Sequence, residues 1–225
     1  MVENTGYRKG FGDRLAEGSF RLATGCGHPE YAMVSKKQEL AGYDPRVIQG
    51  MGLAEATSPI GGSHMRAQTA YFELFGVPKV IGHTQIEDKA ELVRIWQDMT
   101  CIIDCTGVCY FFAVRCFVDP VMEVTPTGFT EFLNAATGAD YSVEEVRLAG
   151  ERVFNAERQF LVKVGMSRKD DSLPKRQMEE PMPDGPTQGS LSRLEEMLDD
   201  YYAFRGWTSD GIPSDEKLAE LGLKK

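Results

Sequence analysis

The sequence predicts an all-α, multihelical chain, and three observations carry that expectation. Residues recur at helical spacing, with Ala90, Val93, Trp96, Met99 or Thr100 and Ile103 in one run and the apolar Val146, Ala149, Val153, Ala156, Phe160 and Val164 in another. Ser142-Val143-Glu144-Glu145 reads as a capping box, in which a serine oxygen and a glutamate three residues on satisfy each other's open amides. Glycines stand where helices should stop, at 107, 138, 165, 206 and 222, and no stretch sustains a strand-like alternation.

In chain order, residues 1 to 25 read as a turn and one short helix that starts at Gly10-Phe11-Gly12-Asp13 and stops at Gly25. Cys26 and His28 follow in a loop that lacks a second cysteine or histidine at metal-ligand spacing. Asp44-Pro45-Arg46 marks a turn, and the small residues from Gly50 to Thr57 suit a helix packed tightly against a neighbour. Pro59, Gly61 and Gly62 break it and deliver His64 and Arg66 from a tight loop toward a helix running through Phe75. Residues 87 to 106 form the next helix. The run from Tyr110 to Val118, apolar on nearly every side and ended by Pro120, reads as either a buried helix or a buried strand. Residues 127 to 137 form a helix closed by Gly138, and the capped helix from Ser142 ends at Gly165. Pro174, Pro181, Pro183 and Pro186 rule out a long helix between Ser167 and Gly189, where an extended, proline-rich surface strap is expected. Ser192 and Glu195 suggest a second capping box for a helix reaching Gly206, and Ser214 caps a last one.

With 225 residues, 42% hydrophobic and 26% charged, the chain can build one large core or two small ones. A net charge of −9, with no basic run longer than Lys36-Lys37 or Lys224-Lys225, argues against a nucleic-acid surface. No apolar segment approaches the roughly 20 residues of a membrane helix, and the residues around Glu3, Arg8 and Lys9 do not resemble a signal peptide. Five cysteines, four of them between 101 and 116, do not form a secreted disulfide pattern, so the expected location is cytoplasmic.

The most site-like stretch is Asp104-Cys105-Thr106-Gly107-Val108-Cys109, which offers an anionic acceptor, a close backbone approach and a soft ligand within six residues. On one continuous helix Cys101, Cys105 and Cys109 would share a face, yet each step of four rises about 6 Å, too far for all three to grip one small metal such as zinc. The expected arrangement is a helix that stops near Gly107, with Cys109 on the turn beyond. The competing reading makes these cysteines small buried hydrophobes. His64 can exchange a proton near neutral pH and Arg66 offers a planar fork for phosphate or carboxylate. The alternative is a structural histidine beside a surface arginine.

Taken together, Tyr43-Asp44-Pro45-Arg46, Gly61-Gly62-Ser63-His64-Met65-Arg66, Asp104-x-x-Gly107-Val108-Cys109, Ser167-Arg168-Lys169-Asp170-Asp171, Pro183-Asp184-Gly185-Pro186, Tyr201 to Trp207 and Asp210-Gly211-Ile212-Pro213 resemble the C-terminal part of the aldehyde ferredoxin oxidoreductase family. These are tungsten or molybdenum pterin enzymes. The resemblance implies that Asp104 binds nitrogens of a pterin ring, that Val108 lies at the same cofactor, and that Cys109 is the fourth thiolate of a [4Fe-4S] cluster. It implies that His64 stands beside the metal as a proton donor or acceptor and that Arg66 contacts the cofactor. The activity implied is aldehyde oxidation to carboxylate, with electrons passing through the cluster to ferredoxin. Two departures stand out: Ile60 replaces a frequent arginine, and Ser63 stands where a cysteine or another polar residue is often found. The β-rich pterin domain and the three-cysteine segment of the family have no counterpart here, so an N-terminal part or separate subunit is the expected partner. Residues 1–35 are expected to end a preceding helical domain and 36–225 to form the C-terminal one. Two rivals are a benzoyl-CoA-reductase-like catalytic subunit of the same family and a non-catalytic helical interaction module.

Overall fold

The computed structural model describes residues 1–76, 81–114 and 126–224. Among these residues helix is almost the whole of the regular structure, as the periodicity predicts, beside a hairpin of two-residue antiparallel strands, β1 (Val34–Ser35) with β2 (Gln38–Glu39). The expected N-terminal helix is instead split around Gly18 into α2 (Phe11–Leu15) and α3 (Ser19–Gly25), and α1 (Val2–Gly6) precedes them. Ser19 ties this segment to the hairpin through its backbone N–H and hydroxyl, both donating to Glu39 Oε1 at 2.8 and 2.9 Å.

The core is organised around α6 (Lys89–Thr106), with α4 (Gln49–Thr57), α9 (Val143–Lys163) and α11 (Leu194–Arg205) packed on it. Ala90, Val93, Trp96, Met99 and Ile103 are all buried, so the helical spacing names the inner face of α6 correctly. Trp96 meets Phe72 of α5 (Ala70–Phe75) edge to face at 5.1 Å. Every residue of α4 is buried. Helices α6 and α9 approach closely: a Cβ on Gly150 would lie 2.2 Å from the Asp98 carbonyl oxygen, so only glycine lets these helices meet there.

The capping box at Ser142 forms in both halves. The apolar stripe it introduces is only half right. Val146 is buried, but Phe160 and Val164 are more than 60% exposed. The inner face beyond Gly150 is instead Phe154, Asn155 and Arg158. Polar partners turn the helix that way. Asn155 Oδ1 accepts from Trp207 Nε1 at 2.7 Å, and Arg158 grips Asp171 with both terminal nitrogens at 2.9 and 2.7 Å. Asp171 also receives Lys36 at 2.9 Å and the Tyr202 hydroxyl at 2.6 Å, which makes it the hub of a buried ionic network.

The segment expected as an extended strap contains a 3₁₀ turn, Arg168–Asp170, and a short helix α10 (Lys175–Glu179). The capping box expected at Ser192 does not form. Its N–H donates to Gln177 O, Glu195 pairs with Arg168, and Arg193 stands at the start of α11 without a side-chain cap. Helix α8 (Thr127–Thr137) ends at Gly138 as expected, and Ser214 caps α12 (Asp215–Glu220). Of the apolar run from Tyr110, residues 110–113 form a short helix, α7; the rest, including Pro120, lies outside the described residues. Phe111 and Phe112 in it are exposed rather than buried.

Candidate functional site

Helix α6 stops at Thr106 because Gly107 adopts a left-handed conformation, φ +68°, that lets its N–H return to the Asp104 carbonyl. A Cβ at Gly107 would meet nothing within 4 Å, so the requirement there is conformational and not one of space. Val108 and Cys109 follow on the turn, both exposed, and Cys109 opens α7. The three thiols therefore part company. Cys101 is sealed in the core, where burial pushes its thiol up, while Cys105 and Cys109 reach the surface. Among the described residues, no three His, Cys, Asp or Glu side chains gather closely enough to hold a metal ion.

His64 and Arg66 sit on a 3₁₀ turn, His64–Arg66, that follows the Gly61-Gly62 break and packs against α4 and α6. Arg66 Nη1 lies 2.7 Å from Asp104 Oδ2, so residues 38 apart in sequence meet at the end of α6. Arg66 Nη2 lies 3.0 Å from Glu157 Oε1 on α9. The arginine side chain is 14% exposed and the Asp104 side chain 53%, so the carboxylate projects while the cation behind it is covered. Burial pushes the Glu157 carboxyl above the usual range, and Arg66 opposes that rise.

The His64 ring lies 5.9 Å from Tyr43 at a tilt of 50°, and the Tyr43 hydroxyl accepts from Gln68 Nε2 at 3.3 Å. Among the described residues no hydrogen bond reaches either ring nitrogen of His64, and none reaches Asp104 Oδ1. The histidine stands on the 3₁₀ turn, the carboxylate on the last turn of α6 and the thiol on the turn beyond it. Ile60, 49% exposed, lies on the break just before that turn.

The sequence pattern missed Glu157 and the packing role of Tyr43. Tyr43 stands in a motif that drew attention for its turn. Glu157 borders Val153 and Phe160 of the expected apolar stripe, and no local signal marks it.

The donor set fits the ring of a pterin better than it fits a phosphate. A projecting carboxylate with an oxygen unpaired among the described residues accepts N–H groups, whereas the Arg66 guanidinium is already shared by two carboxylates. The exposed Cys109 thiol suits a single cluster ligand; a cluster needs further thiolates from elsewhere.

A family model described as aldehyde ferredoxin oxidoreductase, domains 2 and 3, matches residues 1–223. The chain is 45% identical over 224 residues to the tungsten-containing aldehyde ferredoxin oxidoreductase of Pyrococcus furiosus, covering 99% of this chain and 36% of that protein. To the protein of the same name from Pyrococcus horikoshii it is 46% identical over 226 residues, covering 100% of this chain and 36% of the relative. The chain therefore spans about a third of the length of the curated relatives it matches. Among solved structures, the active-site complex BamBC of benzoyl-coenzyme A reductase with 1,5-dienoyl-CoA superposes with a TM-score of 0.69 at 21% identity. That match covers 99% of this chain and 38% of the other, and it shows a shared fold. With these matches running over nearly its whole length, the chain belongs to the aldehyde ferredoxin oxidoreductase family.

Proposed function

We propose that this chain is the C-terminal portion of a tungsten or molybdenum pterin enzyme that oxidises aldehydes to carboxylates and passes the electrons through a [4Fe-4S] cluster to ferredoxin. The observation that carries the reading is the Asp104 carboxylate, half exposed at the end of α6 and held from behind by Arg66, with Cys109 five residues on. Asp104 Oδ1 would accept N–H groups of the pterin, and the Val108 side chain would lie along the same cofactor. The Cys109 thiolate would supply one ligand of the cluster. The metal, when bound, supplies the two-electron step of the oxidation. His64, with neither ring nitrogen hydrogen-bonded among the described residues and its ring tilted against Tyr43, would take the proton released as water adds to the carbonyl, or return one. Tyr43 and Gln68 would fix the plane of that ring.

Residues 1–35 would close a preceding helical domain, with 36–225 forming the C-terminal one; the hydrogen bonds from Ser19 to Glu39 support an interface between them. No helix among the described residues is long and apolar enough to cross a membrane. The exposed thiols suit a reducing cytoplasm.

The test is to co-express this chain with an N-terminal segment of a long relative and assay viologen reduction by aldehydes. Activity should appear only in the complex and fall by at least about a hundredfold in H64A. A metal-loaded complex that reduces no dye with any aldehyde refutes the proposal.

A further inference from the structure

The Arg66 guanidinium is shared between two carboxylates on two different helices, and only one of them faces outward. We propose that Glu157 is a positioning residue: it holds Arg66, and through Arg66 fixes the Asp104 carboxylate in the direction that meets the pterin. The inference rests on the pterin reading given above and deepens it.

Asp104 lies in the last turn of α6, where the helix carries partial negative charge and disfavours a carboxylate. A cation must offset this. An arginine paired only with a half-exposed aspartate would hold neither side chain firmly, because solvent screens such pairs and both chains retain rotamer freedom. Here the arginine is covered, at 14% exposure, and its second nitrogen is anchored 3.0 Å from Glu157 on α9. The anchor is itself costly. Glu157 Oε2 is buried with no hydrogen-bond partner among the described residues, a loss that leucine packing would avoid if the helix contact were the only purpose. The covered guanidinium lies behind the half-exposed Asp104 carboxylate, so this edge presents a carboxylate oxygen and withholds its cation.

Two arms test this. In the chain itself, the Nη–H resonances of Arg66 should be split by hindered rotation in the wild type, averaged in E157L, and split again in E157Q, whose amide oxygen still accepts from Nη2. Split signals in E157L, or averaged signals in the wild type, overturn the clamp. In the co-expressed complex, pterin content per complex, read as fluorescence of the oxidised pterin released on denaturation, should fall about tenfold in E157L at limiting cofactor. It should recover in E157Q, and E157L combined with R66A should be no worse than R66A alone. Unchanged or increased pterin in E157L overturns the proposal. A wild-type complex that forms but carries no pterin overturns the pterin reading, and with it the role given to Glu157 toward that cofactor; the rotation arm still decides the clamp.

Discussion

Glu55 lies fully buried in α4, with one carboxylate oxygen accepting from the Ala41 N–H at 3.2 Å and the other without a partner. Burial, aided by Asp44 and opposed by the Ala41 amide, pushes its carboxyl from 4.5 up to about 8. The folded chain thus keeps a proton that the unfolded chain releases above 4.5. Between these values the folded state binds more protons, so stability from this group falls as pH rises. At about 1.36 kcal/mol per pH unit beyond the unfolded value, the loss between pH 5 and 7.5 is on the order of 3 kcal/mol. E55Q keeps the shape and removes the proton. Urea unfolding followed by circular dichroism at pH 5, 6 and 7.5 should show E55Q gaining on the wild type by about that amount across the interval. The comparison between the two proteins isolates Glu55, because every other titrating group is common to both. Parallel stability curves for wild type and E55Q would refute the buried, protonated carboxyl.

D171N should cost about 3–5 kcal/mol, because Lys36 and Arg158 are then left buried without their shared counter-charge; urea midpoints measure it. G150A should destabilise by about 1–3 kcal/mol through overpacking against the Asp98 carbonyl, visible as a drop in thermal midpoint. In native protein a thiol reagent followed by peptide mass mapping should modify Cys26, Cys105 and Cys109 rapidly and Cys101 only on unfolding. Rapid labelling of Cys101 would contradict its place in the core.

Much of this fold is written in local chemistry, and the places where the reading failed share a cause. The inner face of α6, the left-handed stop at Gly107 and the cap at Ser142 follow from side-chain spacing and nearest neighbours, so a reader of the sequence finds them. The C-terminal half of α9 misleads because its buried face is chosen by partners far along the chain: Trp207 for Asn155 and Asp171 for Arg158. The Ser192 box fails for the same reason, since Arg168 claims the glutamate that would close it. At the candidate site, Asp104, Val108 and Cys109 were legible as one stretch, and His64 and Arg66 as another. That the two stretches touch, through a 2.7 Å ion pair, is a tertiary fact with no local signal. Glu157 is the extreme case, 91 residues from the arginine it holds.

The misread helix and the missed glutamate are one observation seen from two sides. Arg158 is buried and fixed to Asp171 through two hydrogen bonds and to the Gly211 carbonyl through a third, at 2.7 Å. Consecutive residues on a helix point about 100° apart, so pinning Arg158 inward also fixes where Glu157 points. A second constraint lies about 12 Å along the same helix, where Gly150 sets the depth at which α9 meets α6. Depth and rotation together place the Glu157 carboxylate, and hydrogen bonds near 3 Å tolerate only a few tenths of an ångström. An apolar stripe running through Phe160 and Val164 would have buried more hydrocarbon. It would also have turned Glu157 away from Arg66 and left Asp104 on an unbraced helix end. The polar inner face of α9 therefore links the core ionic network to the orientation of the outward carboxylate.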